Sequence, residues 1–250
     1  MISRRETILG GALTLLTCTC DCHANVSSVR ALGCHVPKLE APRYFSRTQT
    51  ATLLQTGSEV IEARSGNPEL DRALAQTLGR LSQLFDVLPA FAYYQDGSQP
   101  NALATPEPRL QRADGTVLFG LNMLQQLLTR PEHPDASVVA VCAHEFGHIV
   151  SYKTGLIDRL MQDNNPFRAE QFADYMAGYY AGFKKLERND FPAVAFATTQ
   201  RSFGGVTRGT HGTSEERGSA VIEGFKSIYE RKLSAPDAID AAFQFSMSRQ

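Results

Sequence analysis

Two histidines and a glutamate form the pattern in this chain that is best suited to chemistry, in the run His144-Glu145-Phe146-Gly147-His148. Side chains four residues apart lie one turn above each other on a helix, so His144 and His148 would present two imidazoles to one point. That separation suits a tetrahedral zinc ion. Glu145 would lie about 100° around the helix from His144, within reach of a zinc-bound water but not of the metal. The three side chains are therefore the components of metal-assisted amide hydrolysis, in which a carboxylate takes the proton of an acidified water.

The residues before this motif indicate that it is buried. Residues 138–143 are apolar almost all round a helix, and polar side chains that continue from a buried helix need partners. A metal is one such partner; the alternative is a core helix whose histidines bind backbone or carboxylate groups. The longer metzincin pattern is excluded, because Ser151 and Thr154 stand where it requires glycine and histidine.

A third ligand must come from elsewhere, since two imidazoles alone hold zinc weakly. Glu170 and Asp174 are four residues apart among Phe, Tyr, Met and Ala side chains, which indicates a buried helical face directed at a cation. Zinc would satisfy Glu170, and Asp174 could accept the second ring N–H of a ligand histidine. The alternative is a pair of solvent-facing acids on a surface helix.

The combined motifs resemble a known family. Residues 143–148, followed by Glu170-x-x-x-Asp174 within Ala-Glu-Gln-Phe-Ala-Asp-x-x-Ala-Gly, look like the gluzincin metallopeptidases, and within these the small bacterial neutral zinc metallopeptidases. The resemblance implies that His144, His148 and Glu170 bind zinc and that Glu145 is the general base. It implies that Asp174 orients a ligand histidine.

The likeness covers about residues 100–230, and the first hundred residues carry no motif of this family. Residues 101–104, with a strand around 117–119, are similar to the strand that runs along the family's cleft. Residues 211–217 are similar to a His-Gly-Thr/Ser segment that leads into a late helix. Near the cleft, His211 would stabilise the oxyanion of a tetrahedral intermediate; equally, it would cap the next helix.

Three further side chains near the motif have structural interpretations. Tyr152 and Tyr175 are candidate oxyanion donors, but aromatic residues beside such a helix more often serve packing. Cys142 would lie about 200° around the helix from His144, so it is expected in the core.

Periodicity then predicts the elements that must position these residues. The predicted helices cover residues 68–87, 122–129, 137–153 with a start at Pro134, and about 168–188, followed by two after Glu215 that are separated at 235–237. Strands are predicted at 90–95 and 115–121, with a polar loop around 100–108 between them. The expected fold is helix-rich α+β, a zincin-like domain over 67–250 with a small sheet packed beside the active-site helix. An extended peptide would add to the exposed sheet edge near 117–121.

The first 24 residues resemble an export signal, and residues 25–66 read as an extended lead-in of uncertain structure. Arg4 and Arg5 precede an apolar run of 10 residues, about half the length that spans a bilayer. Ser3-Arg4-Arg5 resembles a twin-arginine signal, although Thr7 departs from it, so the Sec route stays open. Cleavage after Ala24 would release a periplasmic or extracellular protein. A lipoprotein anchor at Cys18 and a buried N-terminal helix of a cytosolic protein are the alternatives.

Net charge and cysteine content limit the classes of partner and the disulfides that the chain can have. The chain has 25 Lys and Arg against 26 Asp and Glu, so nucleic acid is not the expected partner. Signal cleavage would leave Cys34 and Cys142, which an oxidising compartment permits to pair. The sequence thus predicts an exported zinc metallopeptidase that acts on peptides or proteins. The alternatives are a zinc-stabilised binding or chaperone-like protein, which an intact Glu145 disfavours, and an enzyme for peptidoglycan or another amide.

Overall fold

The computed structural model describes residues 61–98, 100–162, 165–207, 209 and 211–249. This part of the chain is helix-rich α+β, as predicted. In chain order its elements are α1 (Pro68–Phe85), β1 (Ala90–Tyr94), β2 (Ala102–Thr105), β3 (Thr116–Gly120), α2 (Leu121–Leu128), α3 (Pro134–Lys153), α4 (Ile157–Leu160), α5 (Phe167–Glu187), α6 (Val194–Phe203), α7 (Ser214–Tyr229) and α8 (Ala235–Met247).

The two helices that carry the motifs, α3 and α5, lie where periodicity predicted them.

The first helix also begins as predicted. Asn67 caps α1 through the amides of Glu69 and Leu70, as its side chain predicts. The helix ends two residues before the predicted boundary, because Asp86 is left-handed and donates its N–H to Ser82. Periodicity predicted neither α6 nor β2. β2 has four residues, too short for an alternating pattern, and lies in the stretch predicted as a polar loop; only the family resemblance compared residues 101–104 to a strand along the cleft.

The sheet has the order β1-β3-β2, with β3 parallel to β1 and antiparallel to β2. The prediction of an open edge at residues 117–121 is therefore wrong, because β3 is hydrogen-bonded on both sides. The outer edge of β1 pairs with Glu62, whose N–H and carbonyl both bond Tyr93 at 3.1 Å. The edge that borders α3 is β2.

Small residues let the central helices approach closely. A Cβ added to Gly147 of α3 would lie 2.8 Å from the Cα of Ala173 on α5. Side chains at Gly178 of α5 and Gly224 of α7 would overlap the backbone of the opposite helix. The glycine within the histidine motif thus brings α3 against α5, and α5 in turn against α7.

The predicted export signal, most of the lead-in and Cys34 lie outside the described residues. Among the helices that the structure describes, none is both long enough and apolar enough to cross a bilayer. Cys142 is fully buried, as expected, and burial raises the pKa of its thiol.

Candidate metal centre

Three side chains from two helices converge in the buried space between α3 and α5. Each of His144, His148 and Glu170 is at most 2% exposed. The Nε2 atoms of the two histidines are 3.2 Å apart. Glu170 places Oε2 3.4 Å from Nε2 of His144 and Oε1 3.5 Å from Nε2 of His148. The sequence predicted these three residues as ligands, and the fold brings them together as a group that could hold a metal ion.

These spacings fit a tetrahedral ion. An ion about 2.0–2.1 Å from each N or O ligand would hold neighbouring ligand atoms about 3.3 Å apart, and the two Nε2 atoms are separated by nearly this distance. Glu170 faces the two histidines with different oxygens, and one ligand atom from each of the three residues lies within 4.8 Å of the other two. Two imidazoles and one carboxylate also form the donor set that zinc uses when it keeps a fourth position open. The residues present therefore fit a catalytic type of zinc site.

Asp174 binds the ring nitrogen of His144 that does not face the other two candidate ligands. Its Oδ1 lies 2.8 Å from Nδ1 of His144, which leaves Nε2 directed at Glu170 and His148. A ligand histidine whose second nitrogen binds a carboxylate has a fixed tautomer and ring orientation. The structure thus brings Asp174 to the place where the sequence predicted it.

A buried arginine completes this arrangement, and sequence reasoning missed it. Arg217 of α7 donates to both oxygens of Asp174, at 2.8 and 2.9 Å, and to Oε1 of Gln200 at 2.8 Å. Gln200 in turn donates to the carbonyl of Ala140 at 3.2 Å. A signal was present, because Arg217 stands in register with Ala220, Val221 and Gly224 on the buried face of α7. A cation on an apolar face requires a buried anion.

Charge within the cluster shifts several pKa values. Burial lowers the pKa of His144, but Asp174 and then Glu170 outweigh it and raise that pKa to about 10. Burial opposes ionisation of Glu170, yet His211 and the two motif histidines hold its pKa well below the usual range. Burial likewise opposes ionisation of Asp174, and Arg217 followed by His144 lowers its pKa. Both acids therefore carry negative charge towards the imidazoles.

Glu145 is the exception among the acids. It is 1% exposed, and its Oε2 has no hydrogen-bond partner in the described part of the chain. Burial raises its pKa to about 8, against the attraction of His144. A buried carboxylate oxygen without a partner is costly, and beside a candidate metal centre it is an acceptor positioned for a proton.

His211 lies beside the third predicted ligand. Its Nδ1 is 3.1 Å from Oε2 of Glu170. The interpretation of His211 as a helix cap is wrong, because Thr213 caps α7 and forms a capping box with Glu216. His211 instead lines the cleft.

His144 of the metal centre and the neighbouring Glu145 line a cleft with an empty volume of about 470 Å³. Two groups of residues line it, one from the long helices and one from the start of β2 and of α2. The first group, which we call the metal side, is Val141, His144, Glu145, Gln200, Phe203 and Arg217, with His211 before α7. The second group, which we call the edge side, is Pro100, Asn101, Ala102 and Met123.

The two tyrosines considered as oxyanion donors are engaged elsewhere. Tyr152 donates its hydroxyl to the carbonyl of Ala104 at 3.1 Å. Tyr175 accepts from Arg231 at 3.3 Å and its ring packs on Phe245. Neither lines the cleft, in line with the packing interpretation.

No family model, curated protein or solved structure matches the chain. The arrangement can bind a divalent cation through two imidazoles and a carboxylate, with Glu145 close by at the cleft.

Proposed function

We propose that the chain is an exported zinc-dependent metallopeptidase of the gluzincin type, with a zincin-like catalytic fold. The observation that carries the proposal is the buried, convergent group His144, His148 and Glu170, with the unpartnered Oε2 of Glu145 beside it at the cleft. A purely structural zinc site closes its fourth position with a ligand and needs no base. Export rests on the character of residues 1–24.

Zinc would be held by the two histidines and Glu170, and bound there it would supply the Lewis acidity that polarises a scissile carbonyl and acidifies water. Asp174 keeps Nε2 of His144 directed into the site through its bond to Nδ1. Arg217 balances the charge of Asp174. The polar groups behind the ligands thus orient them before a substrate enters.

Glu145 performs the proton transfers. Its Oε2 accepts a proton from the attacking water and returns it to the leaving amine. His211 lines the same cleft, and in the proposed mechanism its imidazole stabilises the negative charge that develops on the carbonyl oxygen.

The edge of β2 is the proposed site of the peptide backbone. The carbonyl of Asn101 accepts from Gly120 at 2.9 Å and therefore faces β3. Because orientation alternates along an antiparallel strand, the N–H and carbonyl of Ala102 face away from β3, on the edge where the carbonyl of Ala104 accepts from Tyr152. Ala102 also lines the cleft. An extended peptide can pair with this edge and bring one carbonyl to the metal centre.

The variant Glu145→Gln tests the proposal. We expect hydrolysis of fluorescently labelled casein by the zinc-loaded protein to fall by about 10²- to 10⁴-fold. Zinc content should be unchanged, because Glu145 is not a ligand. Glu132→Gln, at an exposed position before the same helix, is the matched control and should retain full activity.

Three outcomes separate the alternatives. Wild-type protein that binds zinc but cleaves neither casein nor peptidoglycan would favour the binding or chaperone-like function. Cleavage of peptidoglycan alone would keep the mechanism and change the substrate. Wild-type zinc content no higher than that of His148→Ala would remove the basis of the proposal.

A further inference from the structure

Asp96 is a buried carboxylate outside the metal centre, and it is 4% exposed. Its Oδ1 accepts the N–H of Asn122 at 2.8 Å. Its Oδ2 accepts the N–H of Met123 at 2.9 Å and that of Asn101 at 3.1 Å. Three backbone donors therefore converge on one side chain.

These donors come from two separate elements. Asn122 and Met123 are in the first turn of α2, where backbone N–H groups have no partner within the helix and a negative charge is favoured. Asn101 immediately precedes β2. Asp96 thus ties the start of one helix to the start of the edge strand, as a cap supplied from a distant part of the sequence.

Both tied segments form the same side of the cleft. Asn101, Ala102 and Met123 all line it. The carbonyl of Asn101 is also bound, to the N–H of Gly120 at 2.9 Å and to the hydroxyl of Tyr94 at 3.2 Å. With the backbone groups of Asn101 bound to Asp96 and β3, alternation turns those of Ala102 to the other edge of the strand, away from β3.

The surroundings are shaped around this carboxylate. A Cβ at Gly120 would overlap the carboxylate of Asp96, so the last residue of β3 needs to be glycine for this carboxylate to fit. Gly97, with φ +58°, lets the chain turn directly after Asp96. Its carbonyl accepts from the side chain of Asn122 at 2.8 Å. Glycines and amide donors on three segments thus accommodate one acid.

We propose that Asp96 is the positioning residue of the substrate-binding edge, fixing the backbone of Asn101 and Ala102 opposite the metal centre. The inference rests on the proposed peptidase function and adds a determinant of substrate binding to it. Asp96 acts through Asn101, and not on the reacting atoms. Loss of its charge should weaken binding of the peptide backbone while leaving the metal centre intact.

The test compares Asp96→Asn with Asp114→Asn in the full zinc-loaded protein. Asp114 accepts the N–H of Leu88 at 2.7 Å at the other end of the sheet, so its variant likewise replaces a carboxylate that accepts from the backbone by a neutral amide. We expect Asp96→Asn to accelerate hydrogen exchange at the amides of Asn101 and Met123 by about 10-fold or more. Its KM for labelled casein should rise about tenfold with kcat within about twofold, the pattern of lost uniform binding.

Asp114→Asn should leave KM and exchange at the cleft unchanged, and both variants should bind one zinc as the wild type does. A rise in KM of equal size in both variants would assign Asp96 to general stability and overturn the proposal. Unchanged exchange at Asn101 in Asp96→Asn would overturn it whatever the activity. An inactive wild-type protein, by contrast, is the failure of the proposed function and is recognised without either variant.

Discussion

The metal side of the cleft is supported by side chains on three long helices, α3, α5 and α7, which carry the candidate ligands and the residues that bind them. The edge side, by contrast, is built mainly from backbone at the start of β2 and α2. On the metal side, Asp174 and Arg217 link α5 to α7 behind the ligands. On the edge side, Asp96 gathers backbone N–H groups. Side-chain contacts on the metal side orient the ligand atoms, whereas those on the edge side orient the backbone. We therefore expect mutations on the metal side to change zinc affinity and mutations on the edge side to change KM.

The largest effect is expected for Glu170→Ala, which removes a ligand. Zinc affinity should fall by more than the roughly 10- to 100-fold typical of residues behind the ligands. The measurement is zinc per chain and the dissociation constant from chelator competition. Glu187→Ala, at the end of the same helix, removes only surface ion pairs with Arg80 and Lys184 and serves as control. Unchanged zinc binding in soluble Glu170→Ala protein would show that another group is the third ligand.

A smaller effect on the same side is expected for Asp174→Asn. The variant keeps the shape of the side chain but removes the charge of the carboxylate that binds Arg217 through two hydrogen bonds, and it weakens the bond to Nδ1 of His144. Zinc affinity should fall by about 10- to 100-fold, while KM of the zinc-saturated enzyme stays within about twofold. Asp190→Asn, an exposed acid beyond the end of α5, should change neither quantity. A variant in which KM rises and zinc affinity does not would break the division between the two sides.

The two sides also differ in how far the sequence predicted them. Two histidines one turn apart and two acids one turn apart are local patterns, so helical geometry placed all four side chains on the correct faces. The contact between Glu170 and the histidines is not local, but only a buried cation could satisfy acids in such an apolar segment. Residue type and spacing in a single sequence are therefore enough to predict side chains of this kind.

The edge side depends on strand order, which no local pattern encodes. The segment around Val117 reads as a strand with the same strength whether it is central or at an edge, and the open edge was therefore assigned to the wrong strand. Ala102–Thr105 is too short for alternation to be seen. Asp96 followed by Gly97 reads as an ordinary turn, since its partners lie up to 27 positions away.

The smallest effect is expected for Ala102→Pro, which tests the edge side alone. Proline removes the N–H that faces away from β3, and edge strands tolerate proline where that group bonds no neighbouring strand. A peptide would lose one backbone hydrogen bond, worth about 0.5–1.5 kcal/mol, so KM should rise about 2- to 10-fold. Ala102→Ser keeps the N–H and should bind casein as the wild type does. Zinc affinity should be unchanged in both variants, because Ala102 touches no ligand; if the proline variant lost zinc instead, the two sides of the cleft would not be separable and the division of labour between them would fail.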